Sequence, residues 1–150
     1  MKTLISAVIL LCAVMLLAQQ QAPVTPKTPN YSAIPADIAK QANPVKSSPE
    51  SLARAKKWWT LDCAMCHGAN GDAKTDLAKD MKLQIKDFSD PASLKDRTDG
   101  ELFYIIKNGV DEMPPEGPRV KVEENWDLVN YVRAFSVKKT SDAQPEAKAQ

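Results

Sequence analysis

The chain has 150 residues, with 20 lysine and arginine residues against 19 aspartate and glutamate residues, and a formal net charge of +1. This length predicts one domain, and the balanced charge, which forms no basic patch, argues against nucleic-acid binding. Eleven prolines stand against five glycines, and most of those prolines lie between Pro23 and Pro49. The first third of the chain is therefore predicted to contain a linker. The compact domain is expected within residues 48–138, a size at which burial alone stabilises only marginally.

The N-terminal segment, residues 1–18, has the pattern of a secretory signal peptide. Lys2 precedes a nearly unbroken apolar run from Leu4 to Leu17, and cleavage is expected after Ala18. The run is shorter than the ~20 apolar residues that span a bilayer, so a cleaved peptide is favoured over an uncleaved anchor. The protein is therefore predicted to be exported to the periplasm. Anchorage to the periplasmic face of the inner membrane is the alternative.

Residues 19–47 form a proline-rich segment that is predicted to be a linker or an arm. Up to about Asn30 its composition predicts an extended tether. Beyond that point Ile34, Ile38 and Val45 are apolar residues in a polar stretch. This second part is either an arm that lies on the domain surface and covers Trp58, or simply a continuation of the linker.

The first helix of the domain is predicted to begin after Ser48, which is an N-cap residue followed by Pro49 and Glu50. Apolar side chains then follow at spacings of three, four and four residues, which places them on one face of a helix. Trp58 points about 100° away from that face. The residues of the face are Leu52, Ala55, Trp59 and Cys63.

The most informative motif is Cys63-Ala64-Met65-Cys66-His67. A Cys-x-x-Cys-His sequence is the pattern of a c-type haem attachment site. The two thiols can add to the two vinyl groups of one haem, and the adjacent imidazole then lies under the iron. The motif therefore predicts one haem c, bound covalently through Cys63 and Cys66, with His67 as an iron ligand.

Two other interpretations of the cysteine pair have less support. A structural zinc site needs four ligands, but His67 is the only histidine, and the one other cysteine, Cys12, lies in the predicted signal segment. A thioredoxin-type redox pair would be expected within a β-α-β pattern, which the surrounding sequence does not show. Both interpretations are kept as minority alternatives.

The middle of the domain predicts two further helices. Residues 73–83 predict a short helix with Leu77 and Met81 on its buried side, and Phe88 is the expected apolar contact of the irregular stretch that follows. A capping box over residues 98–101 begins the next helix. Its apolar face is formed by Leu102, Ile105 and Ile106, and Asn108-Gly109 ends it.

A second chemically informative stretch, residues 109–115, contains Met113 followed by two prolines. A thioether is a soft, weak ligand, so it binds iron only where the chain holds it in place, and two prolines stiffen a loop by fixing φ. Met113 is therefore predicted as the second iron ligand. Met81 is the competitor, although its spacing indicates a core residue, and Met65 lies too close to the attachment point to reach the opposite face of the haem.

The last predicted helix covers Glu123–Val137, and residues 139–150 are predicted to be a polar tail. Six residues give this helix its apolar face and the flanks of that face: Leu128, Tyr131, Val132 and Phe135, with Trp126 and Val129 beside them.

Across residues 48–138 the chain resembles the class I monohaem cytochromes c. The features that carry the resemblance are the attachment motif, the methionine loop at residues 109–115 and the two terminal helices. The resemblance implies an all-α, small cytochrome c fold, in which the N- and C-terminal helices cross beside one covalent haem.

The resemblance also implies specific contacts. The family usually has a glycine and an aromatic residue where this chain has Ala55 and Trp59, and alanine would push the crossing helices slightly apart. We expect both residues to contact the apolar face of the last helix, where Tyr131 matches the family's aromatic residue. Many members have a proline in the loop that supplies a carbonyl to the proximal histidine, and Lys86 lies near that position here.

The resemblance implies electron transfer rather than the conversion of a substrate. The chain is predicted to be a periplasmic single-electron carrier and not an enzyme, with His67 and Met113 as axial ligands of haem c. Its partners would be a redox protein donor and a redox protein acceptor. Two alternatives stay open: a haem subunit of a dehydrogenase or a peroxidase-like enzyme in which Met113 dissociates, and a haem-based ligand sensor.

Overall fold

The computed structural model describes residues 30–31 and 34–143, so the predicted signal segment at residues 1–18 lies outside the described residues. Within them the chain is helical, and its one β interaction is a single bridge between Val110 and Met113. The predicted all-α fold is confirmed. None of the described helices is long and apolar enough to cross a membrane. In chain order the elements are α1 (Ala36–Ala39), α2 (Pro49–Trp58), a π-helical segment (Trp59–Cys63), α3 (Ala64–His67), α4 (Asp76–Asp80), α5 (Asp99–Asn108) and α6 (Val122–Ala143).

Helix α2 begins where the sequence predicts it. The Ser48 hydroxyl accepts a hydrogen bond from the Ser51 amide, and the Ser51 hydroxyl accepts one from the Ser48 amide. Pro49 occupies the first helical position, where its missing N–H costs nothing. This reciprocal capping satisfies two amide groups that the first turn would otherwise leave unpaired.

The helical path to the cysteines is not one continuous α-helix. Residues Trp59–Cys63 form a π-helical segment, in which the Ala64 amide donates to the Trp59 carbonyl. Such wide turns occur mostly as short insertions and often at functional sites. The sequence pattern alone did not indicate this change of winding. The segment ends at Cys63, the first residue of the attachment motif, and the remaining four residues of the motif form the short helix α3.

The crossing of α2 and α6 provides the main core of the domain. Ala55 is fully buried and Trp59 is 3% exposed. The Trp59 ring lies 5.7 Å from the Tyr131 ring and 4.8 Å from the Phe135 ring, measured between centroids. The predicted contact between the first and last helices of the domain is therefore present.

Two predicted helix boundaries are wrong. Helix α6 continues to Ala143, beyond the predicted end at Val137 and into the predicted tail at residues 139–150. The physical reason is that no glycine or proline interrupts the sequence before Pro145. Residues 144–150 lie outside the described residues.

The second wrong boundary concerns residues 73–83. Helix α4 covers only the middle of that range and ends where Lys82 takes a left-handed conformation with φ +53°. One turn of helix can bury little, and its buried residue is Ala78, whereas Leu77 and Met81 are exposed. The interpretation of Met81 as a core residue is therefore wrong.

The stretch before α2 lies against the helical domain. The Asn43 side-chain amide donates to the Trp126 carbonyl at 3.2 Å and to Asn130 Oδ1 at 3.0 Å, and Asn130 Nδ2 donates to the Val45 carbonyl at 2.9 Å. The backbone of α1 meets Gly100 so closely that a Cβ there would lie 1.9 Å from the Ile38 carbonyl oxygen. The stretch thus docks on α5 and α6. That this stretch covers the half-buried Trp58 stays a prediction.

Candidate functional site

An apolar pocket of about 450 Å³, counting its open mouth, lies between the helices. The attachment motif and the methionine loop both contribute to its wall, and α5 and α6 close its sides. The lining residues are Trp59, Cys63, His67, Phe88, Leu102, Ile105, Ile106, Met113, Leu128 and Val132.

The structure brings three of the four predicted site residues to this one pocket: Cys63, His67 and Met113 line it. The fourth, Cys66, follows one turn after Cys63 and is half-buried. Neither cysteine forms a disulfide with another described residue. Burial raises the pKa of Cys63 to about 12, and the carboxylates of Glu116 and Asp62 add to that rise. The Cys63 thiol is therefore protonated at neutral pH and lies at the pocket wall.

His67 is held among aromatic rings. Its imidazole stacks on Phe88 with ring centroids 5.1 Å apart and an interplanar angle of 19°, and it lies 5.7 Å from the Trp59 ring. Burial lowers the pKa of His67 to about 4, so the ring is neutral at physiological pH. The neutral form of an imidazole has a free lone pair on one ring nitrogen, and this is the form that binds a metal.

The second nitrogen of His67 is unusual. Its Nδ1 is buried and has no hydrogen-bond partner among the described residues. A histidine that binds a metal almost always donates its other N–H to an acceptor, and the sequence places the expected carbonyl near Lys86. That contact is not formed among the described residues; the ring of Phe88 stacks on His67, and the Phe88 amide donates to the Gly71 carbonyl at 2.7 Å. The expectation of a carbonyl near Lys86 is therefore not met.

A glycine and three hydrogen bonds hold the turn after the attachment motif. Helix α3 ends at Gly68, which has φ +80°, and the Gly68 carbonyl accepts a hydrogen bond from Trp59 Nε1 at 3.1 Å. The His67 carbonyl accepts from the Ala73 amide at 2.8 Å, and the Cys66 carbonyl accepts from the Thr75 hydroxyl at 3.2 Å. These bonds fix the backbone that carries His67 and Cys66. Sequence reasoning did not find them.

The methionine loop is a tight backbone turn. Val110 and Met113 exchange both backbone hydrogen bonds, at 3.1 and 2.9 Å. Gly109 begins the turn with φ +72°, and a Cβ at that position would lie 2.4 Å from the Met113 carbonyl oxygen. Only glycine fits there without moving the loop. The predicted helix end at Gly109 is confirmed, and the same residue allows Met113 to reach the pocket.

The other two candidate methionines lie elsewhere. Met65 is 61% exposed and Met81 is 54% exposed, and neither lines the pocket. Met113, in contrast, is half-buried and packs against the hydrophobic core. A ligand to a group bound in this pocket must reach its interior, so the geometry favours Met113 over both alternatives.

The residues of the pocket fit a haem. The wall is apolar, two thiols stand one turn apart, a neutral imidazole lies beside them, and a thioether lines the same space. Among the described residues, no three His, Cys, Asp or Glu side chains come together in a way that could hold a metal ion directly. The donor set is therefore suited to an iron carried by a macrocycle and not to a bare ion such as zinc.

Comparison with known proteins gives a consistent result. The family model "Cytochrome c" matches residues 52–136. Among solved structures, the chain is similar to "KustC0563 c-type cytochrome", with 29% identity and a TM-score of 0.49, covering 54% of this chain and 95% of that one. No curated protein matches the chain closely enough to count as a relative.

A second solved structure shares the fold. It is the Kuenenia stuttgartiensis "reducing HAO-like protein complex Kustc0457/Kustc0458", with 20% identity and a TM-score of 0.54, covering 61% of this chain. This chain spans 46% of the length of the matched chain. The family match covers more than half of the sequence and includes the attachment motif, the methionine loop and the crossing helices. The chain belongs to the cytochrome c family, whose members transfer electrons by means of haem.

Proposed function

We propose that this protein is an exported single-electron carrier. In this proposal haem c is bound covalently through Cys63 and Cys66, with His67 and Met113 as axial ligands. The observation that carries the proposal is that Cys63, His67 and Met113, which are up to 50 residues apart in the sequence, line one apolar pocket. A bound haem supplies an iron that accepts and releases one electron.

Both proposed ligands are neutral in this environment. Burial keeps His67 unprotonated, and the thioether of Met113 has no charge. Neutral His/Met ligation favours the reduced iron and raises the reduction potential. If His67 and Met113 both bound the iron, small molecules would find no open site on it, which favours a carrier over a peroxidase-like enzyme or a ligand sensor.

The remaining lining residues exclude water from the bound group. Leu102, Ile105 and Ile106 come from α5, and Leu128 and Val132 come from α6. Apolar walls lower the local dielectric constant and limit solvent access, which is one of the means by which proteins set a haem potential.

Export completes the proposal. Haem attachment to Cys63 and Cys66 is expected after export directed by residues 1–18, with the protein then acting in the periplasm. Retention at the inner membrane through the same segment is the alternative. A redox protein donor and a redox protein acceptor are the proposed partners.

The full-length protein, produced in a host that exports it and matures c-type cytochromes, tests the covalent bond. Mass spectrometry should show one haem added to the chain, and acid-acetone extraction should not remove it. Cys63→Ser together with Cys66→Ser should abolish the addition. A parent protein without the added mass would contradict the proposal.

Axial ligation is tested by Met113→Ala, with Met81→Ala as the matched control at an exposed methionine. The parent should show a sulfur-to-iron charge-transfer band when oxidised and should bind carbon monoxide slowly when reduced. Met113→Ala should lose the band, bind carbon monoxide rapidly and have a lower potential, whereas Met81→Ala should match the parent. Loss of the band in Met81→Ala alone would identify Met81 as the ligand.

A further inference from the structure

Arg119 forms ion pairs with two carboxylates whose charges act on Cys63. Its Nη1 donates to Asp62 Oδ1 at 3.1 Å, and its Nη2 donates to Glu116 Oε2 at 2.7 Å. Asp62 immediately precedes Cys63, and Glu116 follows Met113 by three residues. One guanidinium thus joins the segment that carries the haem cysteines to the end of the methionine loop, across a separation of 57 residues in the sequence.

The two carboxylates of this contact are largely buried, which distinguishes it from an ion pair between exposed side chains. The side chain of Glu116 is 6% exposed and that of Asp62 is 20% exposed, while Arg119 is 52% exposed. Exposed ion pairs contribute little, but a buried carboxylate that loses its cation is left strongly unfavourable. Burial raises the pKa of Glu116, and the Arg119 charge opposes that rise. Two carboxylates share one cation here, so neither can move away from it freely.

Local backbone bonds place Arg119 for this role. The amides of Arg119 and Val120 both donate to the Glu116 carbonyl, at 2.9 and 3.0 Å. The Glu116 amide in turn donates to the Ile106 carbonyl at 3.0 Å, which ties this turn to the end of α5. The methionine loop is therefore bonded to α5 on one side, and Arg119 connects it to the attachment segment on the other.

Two prolines link Met113 to Glu116. Pro114 and Pro115 are the residues between them, and each has a fixed φ. Because φ is fixed at both prolines, the short link has few angles left that could absorb a displacement of Glu116, so such a displacement shifts Met113. Because a thioether binds iron weakly, its occupancy of the axial position depends on where the loop holds it.

We propose that Arg119 is a positioning residue that keeps Met113 at the haem iron by clamping the methionine loop to the attachment segment through Glu116 and Asp62. The proposal rests on the function proposed above, since it requires Met113 to be the ligand. It adds a determinant of ligation that lies outside both the attachment motif and the methionine loop itself.

The test uses the full-length haem-loaded protein and a matched control. Arg119→Leu removes the clamp, and Arg54→Leu removes a comparable ion pair, in which a half-exposed arginine binds the fully buried Asp127 and joins α2 to α6. Asp62→Asn provides a milder second variant should Arg119→Leu fold poorly. Arg119→Lys should restore part of the parent's behaviour.

Three measurements are made on each variant: the sulfur-to-iron band of the oxidised protein, the apparent affinity for added imidazole, and hydrogen exchange of the amides of Val110 and Met113. Arg119→Leu should weaken the band, bind imidazole more tightly by about tenfold, as expected when the open form becomes about tenfold more populated, and exchange these amides faster. Asp62→Asn should show the same changes to a smaller extent. Arg54→Leu should change none of them.

The outcomes separate this proposal from the proposed function. If the parent lacks the band and Met113→Ala changes nothing, His/Met ligation is wrong and the clamp is wrong with it. If the parent has the band and Arg119→Leu leaves the band and imidazole affinity unchanged, ligation stands and the clamp is overturned, even if the amides exchange faster. Equal changes in Arg54→Leu would also overturn it, because general destabilisation would then explain the result.

Discussion

The attachment wall (Trp59–His67) and the methionine loop (residues 109–115) face the same pocket but are built differently. The attachment wall is organised around Trp59, which is 3% exposed and contacts the rings of His67, Phe88, Tyr131 and Phe135. The methionine loop has exposed residues on both sides of Met113 and depends on a tight turn, two prolines and the Arg119 ion pairs.

The difference matches the chemistry proposed for each side. On the attachment wall, covalent bonds and a strong imidazole ligand would hold the haem, and the wall belongs to the hydrophobic core. On the methionine loop, a weak ligand would be held by a tight turn, two prolines and the ion pairs of Arg119. We therefore expect damage to the wall to lower global stability, and damage to the loop to release the ligand while the domain stays folded.

The largest expected effect is that of Trp59→Ala. Removing a buried aromatic side chain costs about 3–5 kcal/mol, and Trp59 also donates to the Gly68 carbonyl beside His67. The free energy of unfolding of the haem-loaded protein, measured by denaturant titration, should fall by that amount. Trp58→Ala is the control, since Trp58 is the adjacent tryptophan and only half-buried. Equal losses in both variants would contradict the central role of Trp59.

Tyr131→Ala should destabilise the protein less than Trp59→Ala. Tyr131 contacts Trp59 and Phe135, but it is only partly buried, so its removal leaves a smaller cavity. The same denaturant titration measures the loss. A loss as large as that of Trp59→Ala would mean that the crossing of α2 and α6 depends on the tyrosine as much as on the tryptophan.

Gly109→Ala should affect the methionine loop more than the fold. The added Cβ would stand 2.4 Å from the Met113 carbonyl oxygen at a residue with φ +72°, and strain of this kind costs about 1–3 kcal/mol. We expect the loop to shift and the sulfur-to-iron band to weaken, while the covalent haem is retained. Asn108→Ala is the control at the preceding, exposed position. A full-strength band in Gly109→Ala would show that Met113 tolerates movement of the turn.

Asn43→Ala should have the smallest effect and leave both sides of the pocket intact. It removes the hydrogen bonds to Trp126 and Asn130, and each such bond contributes about 1 kcal/mol. Thermal unfolding should show the loss, with exposed Gln41→Ala as the control. The optical spectrum should not change, because Asn43 itself contacts α6 and not the methionine loop. A weakened band would mean that the docking of this stretch and the methionine loop are coupled.

Features encoded by neighbouring residues were predictable from the sequence. The attachment motif spans five consecutive residues, and each of the caps at Ser48 and Thr98 spans four. The signal that ends α5 at Gly109 spans two residues. Such signals need no knowledge of the fold, because the interacting groups are already close along the chain. The extension of α6 to Ala143 was missed for the same reason, since no local stop signal marks where the helix should end.

Features that join distant residues were decided by the tertiary structure alone. Phe88 stacks on His67, whose buried Nδ1 has no partner within the described part of the chain, and Asp127 is fully buried against Arg54. Arg119 reaches Asp62 across 57 residues. These contacts depend on how the helices cross and where the loops between them lie, which no short-range pattern records. The sequence alone determined which side chains could bind a haem: two cysteines, a histidine and a methionine. The packing of the helices decided which other groups surround these side chains and which contacts hold them in place.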